Sequence, residues 1–384
     1  MSRQERKKIL WIAGWYPSRH RPALGNFIQR HAQAASSFHD IYVVHATASD
    51  RNEIEIQQEG KVTSVVVCFR KINILPLKYW RWKQAWRKAF KKAEELMGRK
   101  PDAVHLHIII PAGIVASAYA AETAIPLYIT EHSTRYQKKL SLWESAMLKK
   151  TCKNAAVVCP VTNQLGNSLQ QAGIQTAMKV IPNVVNTELF KPAAKSSTGK
   201  KKILHVSTLN EQQKNISGML RVIKKLSEQR NDFEMEIISE YDYSEAAHYA
   251  ETIGLKKEII RFNGLQPIEK VAHAMQQASV FVLFSNKENL PCVLLESVSC
   301  GTPVISTSVG GISEWINESC GVLIDKGDEE ALHKSLNVVL DQPERFNAER
   351  MHQYIKTHFS PEKIAEQFYS LYSIAEPKRT PALE

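Results

Sequence analysis

Short apolar runs, each followed by a segment of helical period, recur along almost the whole chain, and no other pattern limits its folding so strongly. In the first half the runs are Lys8–Ala13, Ile41–His45, Val62–Phe69, Ala103–Ile108, Leu127–Thr130 and Ala156–Pro160. Between them lie Phe27–Ala35, Leu77–Met97, Gly113–Ala121, Leu142–Lys150 and Gln164–Ala172, which read as helices. The stretch Lys191–Lys202, rich in Lys, Ser and Gly, interrupts the alternation. It then resumes with strand candidates Lys202–Ser207, Met235–Ser239, Ile259–Asn263, Val280–Phe284, Pro303–Ser306 and Val322–Ile324. The helix candidates there are Ile216–Gln229, Ser244–Ile253, Ile268–Gln277, one beginning near Pro291, and Glu329–Leu340. Strands interleaved with helices predict βαβ units, hence parallel sheets covered on both faces. A length of 384 residues suits two such domains. We place them at 1–190 and 191–360, facing across a cleft. The amphipathic segment Glu362–Ser373, within a 361–384 tail, is expected to return to the first domain.

No apolar run approaches the ~18–20 residues that span a bilayer. The basic opening Met1–Lys8 followed by Ile9–Ala13 is superficially leader-like, but the apolar stretch is short and is broken by Gly14 and Pro17. A buried first strand is expected instead, in a cytoplasmic protein. The six cysteines form no Cys-x-x-Cys pair and have no nearby His at zinc spacing, so reduced packing residues and no structural metal are expected. The net charge of +11 is uneven: residues 1–190 hold 27 Lys/Arg against 13 Asp/Glu, and residues 191–384 hold 23 against 26. A basic first half points to an anionic surface or acceptor. No nucleic-acid motif accompanies it.

The run Val280–Phe284 ends in polar Ser285-Asn286-Lys287, and Pro291 suits the first turn of a helix, where a missing N–H costs nothing. Glu288 is then expected in the loop at a strand's carboxyl end, and Glu296 about a turn inside the next helix. Open parallel sheets bind ligands at that end, and a helix N-terminus offers N–H groups and positive dipole to an anion. Carboxylates for hydroxyls and amides for phosphates outline a nucleotide-sugar site.

The segment Glu288-x7-Glu296, continuing through Ser297-Val298-Ser299-Cys300-Gly301-Thr302-Pro303 to Val309-Gly310-Gly311 and Cys320-Gly321, resembles glycosyltransferase family 4. Members are retaining nucleotide-sugar glycosyltransferases of GT-B fold. Val206-Ser207-Thr208-Leu209 with Lys214-Asn215, Ile181-Pro182-Asn183, Trp15-Tyr16-Pro17 with Gly25-Asn26-Phe27, and His105-Leu106-His107 agree more loosely. The resemblance implies that Glu288 holds the donor sugar, Glu296 the ribose diol, and Lys214 the diphosphate. It places His107 beside the sugar. Thr208 stands where an Arg is usual, which leaves Lys214 alone or helped by another cation such as Lys287. Pro291 replaces a common glycine, leaving the amides of Asn289, Leu290 and Cys292 for phosphates. Gly301, Gly310 and Gly311 are read as tight-packing positions. Gly25 allows either a phosphate approach or a tight turn, and His107 can equally be a packing residue. Glu131 and His132, at the end of the next strand, are acceptor-binding candidates. Gly264, Leu265 and Gln266 form a loop candidate for the base.

These residues predict a retaining glycosyltransferase that moves a sugar from a nucleotide-diphosphate donor to a hydroxyl of a glycan or lipid-linked acceptor, with envelope polysaccharide synthesis as the expected role. No cofactor or metal is expected, because the first half lacks an Asp-x-Asp signature. Alternatives are an epimerase or phosphorylase on the same architecture, or a basic binding protein with a disused sugar site. In Leu77–Met97, Tyr79, Trp82, Trp86 and Phe90 recur every three or four residues, with Lys83, Arg87 and Lys91 among its cations. Such a helix either lies on an anionic membrane or packs on a core with its basic face solvated.

Overall fold

The computed structural model describes residues 6–195 and 199–373. Met1–Glu5, Ser196–Thr198 within the expected linker, and the tail beyond Ser373 lie outside the described residues. The chain divides into two units: residues through Val184 together with the helix Pro361–Ser373, and Val185–Ser360. The division therefore precedes the expected boundary at 190. Residues 185–190 are tied to the second unit, since the Val185 amide donates to the Phe359 carbonyl at 2.9 Å and buried Phe190 accepts a hydrogen bond from Ser299 Oγ.

Among the described residues the first unit holds seven strands: β1 (Lys8–Ala13), β2 (Asp40–Ser49), β3 (Glu53–Glu59), β4 (Val62–Arg70), β5 (Ala103–His107), β6 (Leu127–Glu131) and β7 (Ala155–Pro160). Their order is β3-β4-β2-β1-β5-β6-β7, and β3 alone runs antiparallel, against β4. β1 sits centrally and is buried from Ile9 to Ala13, as expected of a parallel strand covered on both faces. The sequence reading omits β3. Its Glu-Ile-Glu-Ile alternation places isoleucines on the exposed side and Glu55 inward, the reverse of an ordinary half-buried strand.

The helix Pro361–Ser373 packs on the helix Asn26–Ala35, as its amphipathic pattern implies. A polar relay anchors it. Trp11 Nε1 donates to Tyr372 Oη at 3.1 Å, the Tyr372 hydroxyl donates to His105 Nδ1 at 2.5 Å, and His105 Nε2 donates to Thr130 Oγ1 at 2.7 Å.

The helix Leu75–Met97 covers the opposite side of β2 and β4. Ala85, Trp86, Ala89, Ala93 and Met97 are its buried stripe, so the C-terminal part of the expected amphipathic helix packs on the core. Its first turns differ: Leu75 is 80% and Trp80 56% exposed.

The second unit is an all-parallel sheet: β8 (Lys201–Val206), β9 (Phe233–Ile238), β10 (Ile260–Asn263), β11 (Val280–Leu283), β12 (Val304–Thr307) and β13 (Gly321–Ile324). The order is β10-β9-β8-β11-β12-β13. The sequence reading also omits a helix, Ala348–Phe359, which Asn347 caps by accepting from the Arg350 amide.

Two outcomes test this packing. Tyr372→Phe removes the relay's central hydroxyl and should destabilise the protein by ~1–3 kcal/mol in chemical denaturation, the cost of unpaired buried polar groups. A variant as stable as the parent would contradict the relay. Secondly, burial pushes His45 and His205 down from 6.5 to about 4. The unfolded chain takes up these protons at higher pH than the fold does. Their stabilising effect is therefore full above pH 6.5 and is lost as pH falls from there toward 4. Calorimetric midpoints should fall across that window, and a flat profile would show the histidines to be exposed.

Candidate active site

In a doubly wound sheet, the crevice for a ligand opens where neighbouring strands send their connections to opposite sides. In the second unit that point lies between β8 and β11. β8 leads into Ser207–Asn210 and the short helix Glu211–Lys214, while β11 leads into the loop 284–291. The two loops are stitched together: the Asn286 amide donates to the Gln213 carbonyl at 2.7 Å and Asn286 Nδ2 to the Gln212 carbonyl at 3.3 Å. Beneath them His205 Nδ1 donates to the Val282 carbonyl at 2.8 Å, bridging the two strands.

This stitching brings Lys214 and Glu288 together. Lys214 Nζ lies 2.5 Å from Glu288 Oε1, and Ser285 Oγ donates to the same oxygen at 2.7 Å. Lys214 is 8% exposed and Glu288 5%. Two charges 74 positions apart in sequence thus form a buried ion pair at the switch point. The Glu288 loop is clamped from the far side by Gly310, whose φ is +61°. A Cβ there would lie 1.9 Å from the Glu288 carbonyl oxygen, so only glycine fits, and the next amide, of Gly311, donates to the Asn289 carbonyl at 2.9 Å. Thr307 Oγ1 adds a bond to the Ser285 carbonyl at 2.6 Å.

Pro291 precedes rather than enters the helix Cys292–Ser299, with φ −69° and ψ 119° at the N-cap. Asn289 and Leu290 lie just before this N-terminus, Cys292 begins it, and Glu296 follows one turn inside, 2% exposed. Thr208 is exposed, and Lys287 is partly buried with no ion pair among the described residues. Gly264 and Leu265 follow β10, two strands from β8, or roughly 10 Å across the sheet. Leu265 is 59% exposed there.

In the first unit the corresponding switch point lies between β1 and β5. His107 ends β5, and its carbonyl accepts from the Gly14 amide at 2.8 Å. His107 is itself fully enclosed, its ring centroid 4.1 Å from Trp11 and 4.6 Å from His105. Burial, then the neighbouring His105, His132 and His31, holds its imidazole far below the ordinary range, hence neutral. Its contact outward runs through His132: His107 Nδ1 donates to His132 Nε2 at 3.3 Å, and His132 Nδ1 donates to Asn183 Oδ1 at 3.2 Å. The sequence reading did not single out His31, which donates from Nε2 to the Pro182 carbonyl at 2.8 Å. Its signal was a position four residues after Phe27 on the buried helix face. His31, His107 and His132 each bring a nitrogen within 4.8 Å of the others, a group able to hold a metal ion.

Glu131 does not serve as an acceptor contact in this arrangement. It is fully buried, and its oxygens accept from the amides of Ile109 (2.9 Å), His132 (2.8 Å) and Ser133 (2.8 Å) and from Tyr136 Oη (2.7 Å). Burial raises its pKa, although these bonds oppose the shift. Its task is to shape the turn that presents His132. Gly25 caps the helix Asn26–Ala35 at φ +73°, and a Cβ would meet the Trp15 backbone at 2.6 Å. Its bare Cα serves the turn.

Residues 186–358 match the family model for glycosyl transferases group 1, and residues 24–189 match that for Glycosyltransferase Family 4. TuaC of Bacillus subtilis (strain 168), named for teichuronic acid biosynthesis, is 22% identical over 95% of this chain and 98% of its own. Sucrose-phosphate synthase from Thermosynechococcus elongatus shares the fold with a TM-score of 0.77 and 19% identity, over 96% of this chain and 98% of its own. HepE of Anabaena, solved with UDP and glucose, aligns with a TM-score of 0.76 and 16% identity, over 96% and 100%. With two Rossmann-like units of GT-B type and two family models that adjoin across residues 24–358, the chain belongs to the group 1, family 4 glycosyltransferases.

Proposed function

We propose that this glycosyltransferase moves a sugar, with retention of configuration, from a nucleotide-diphosphate donor to a hydroxyl of a glycan or lipid-linked acceptor in cell-envelope polysaccharide synthesis. The buried Lys214–Glu288 pair at the β8/β11 switch point carries this reading. An ammonium has three N–H donors, and Glu288 takes one of them in this structure. The others suit the diphosphate, where a fixed cation lowers the barrier as negative charge builds on the leaving oxygen. Glu288, held in place by Lys214, Ser285 and Gly310, accepts from sugar hydroxyls. Glu296 accepts from the ribose diol, and the amides near Cys292 face phosphate with the helix dipole behind them. The fold-level likeness to HepE, solved with UDP and glucose, agrees with such a donor.

In the step itself the bond from the anomeric carbon to the diphosphate oxygen breaks, and the acceptor oxygen bonds to that carbon on the same face. The acceptor proton passes to the departing phosphate. The positive charge needed is assigned to Lys214 and Lys287 rather than to a metal. Neutral His132 is assigned to acceptor hydroxyls, exchanging its bond to His107 or to Asn183 for one to the substrate.

Lys214→Ala and Glu288→Ala should each lower kcat by ~10²–10³-fold. Glu296→Ala should chiefly weaken nucleotide binding, by ~10- to 100-fold for lost charge-assisted bonds. Removing one member of a buried pair also destabilises by ~3–5 kcal/mol, so thermal midpoints are read alongside, with Lys214→Met/Glu288→Gln as the paired control. Folded variants with parental kinetics would reject the assignment. Conversion of the donor with no acceptor present would indicate an epimerase.

We also infer that the first turns of the helix Leu75–Met97 rest on an anionic membrane. Exposed Ile74, Leu75, Leu77, Tyr79 and Trp80 adjoin exposed Lys78 and Lys83, and the basic row continues through Arg87 and Lys91. No helix among the described residues is long and apolar enough to cross a membrane. Charge reversal at Lys83, Arg87 and Lys91, or Leu75→Ser with Trp80→Ser, should release the protein from phosphatidylserine-containing vesicles in flotation assays. Equal flotation of parent and variants would exclude this attachment.

A further inference from the structure

Four metal-ligating side chains converge at the edge of the first unit's sheet, away from the β1/β5 switch point. In the antiparallel hairpin Glu53 stands opposite Cys68, and Glu55 lies two residues along the same face of β3. A tight turn in the segment after β1, closed by paired backbone bonds between Ser18 and Arg21, brings His20 over them. His20 Nε2 lies 2.9 Å from Glu53 Oε1, and the Cys68 thiol donates to Glu55 Oε1 at 3.7 Å. One donor atom from each of His20, Glu53, Glu55 and Cys68 falls within 4.8 Å of all the others.

We propose that His20, Glu53, Glu55 and Cys68 form a four-ligand zinc(II) site that pins the Ser18–Arg21 turn to the sheet edge. The donor set is one sulfur, one imidazole nitrogen and two carboxylate oxygens, which suits a borderline-soft tetrahedral ion. Zinc–ligand bonds of about 2.0–2.3 Å in a tetrahedron put ligand atoms roughly 3.3–3.6 Å apart. The contacts of 2.9 and 3.7 Å bracket that spacing, and closing the widest gap needs side-chain shifts of about 1 Å.

The local charge balance also favours a cation. Two carboxylates and a thiol meet at one point, yet among the described residues neither carboxylate pairs with a Lys or Arg. Glu53 has the imidazole of His20, and Glu55, 5% exposed, has the Arg19 amide at 3.0 Å and the thiol. A buried carboxylate with no cation is unfavourable, and a divalent ion cancels the excess. The Arg19 amide, on the other Glu55 oxygen, orients that ligand from outside the metal shell. Cys68 and Glu55 are buried while the His20 and Glu53 side chains are 40% and 29% exposed, which leaves an entry path from solvent. On binding, the Cys68 thiol gives its proton to solvent as the zinc–sulfur bond forms. The ion then stiffens the segment between β1 and the helix Asn26–Ala35.

The test uses the full chain, stripped with chelator and titrated calorimetrically with zinc alone. A single ion per chain, with a raised thermal midpoint, is expected. Cobalt(II) in its place should give a near-ultraviolet thiolate-to-cobalt charge-transfer band, absent in Cys68→Ser. His20→Ala lies on an exposed turn, so it should fold as the parent does and bind zinc at least about tenfold more weakly. The proposal is overturned by no stoichiometric zinc binding, by parental affinity in His20→Ala, or by a cobalt complex without the thiolate band. The last result would place the ion on His31, His107 and His132 instead.

Discussion

A parallel strand buried on both faces leaves only its ends for chemistry, and open sheets bind ligands at the carboxyl end, a constraint that organises this molecule. β1 and β8 lie near the middle of their sheets, each flanked by a strand whose connection leaves toward the other side. The residues with the clearest chemistry gather at these two places. Lys214 and Glu288 meet beyond β8 and β11, and His107 and His132 meet beyond β5 and β6. Side chains along the central strands are mostly consumed in packing, as the fully buried Ile203, Leu204, Phe281 and Val282 illustrate.

The two switch points differ in electrostatic character. That of the second unit holds a formal ion pair in a buried setting, where desolvation is costly and is tolerated because Ser285 and the clamped loop leave little freedom for the charges to separate. That of the first unit is built from neutral rings. His31 is pushed down to about 4 by burial, and His107 and His132 lie well below their ordinary value for the same reason. One unit therefore presents a buried ion pair at its switch point, and the other a set of neutral, mutually packed rings.

Much of the fold was legible because burial leaves a linear trace. The central strands were short, mostly apolar runs, broken chiefly by histidines such as His105 and His205, and the amphipathic Glu362–Ser373 announced a helix that needed a partner. The missed β3 shows the limit: Glu55 faces inward because Cys68, Arg19 and the hairpin receive it, and those partners are set by pairing across sequence. His20 and Cys68 likewise come together only through tertiary contacts with Glu53 and Glu55, which local spacing does not reveal. At the candidate site the motif around Glu288 and Glu296 was readable, as was the packing role of Gly310. The occupied state of Glu131 and the enclosure of His107 were not, because both depend on which backbone amides and rings close around them.

By itself the sequence determined two doubly wound α/β units, the family, and the loop that carries Glu288, since periodicity and local motif are properties of contiguous residues. Tertiary structure alone decided that Lys214 neutralises Glu288, that Glu131 shapes a turn, that residues 185–190 join the second unit, and that His20, Glu53, Glu55 and Cys68 converge on a sheet edge. Apart from the Glu131 turn, each of these is a contact between distant positions. Strand order and the closeness of backbones bring such positions together, and neither is written in any local stretch of residues.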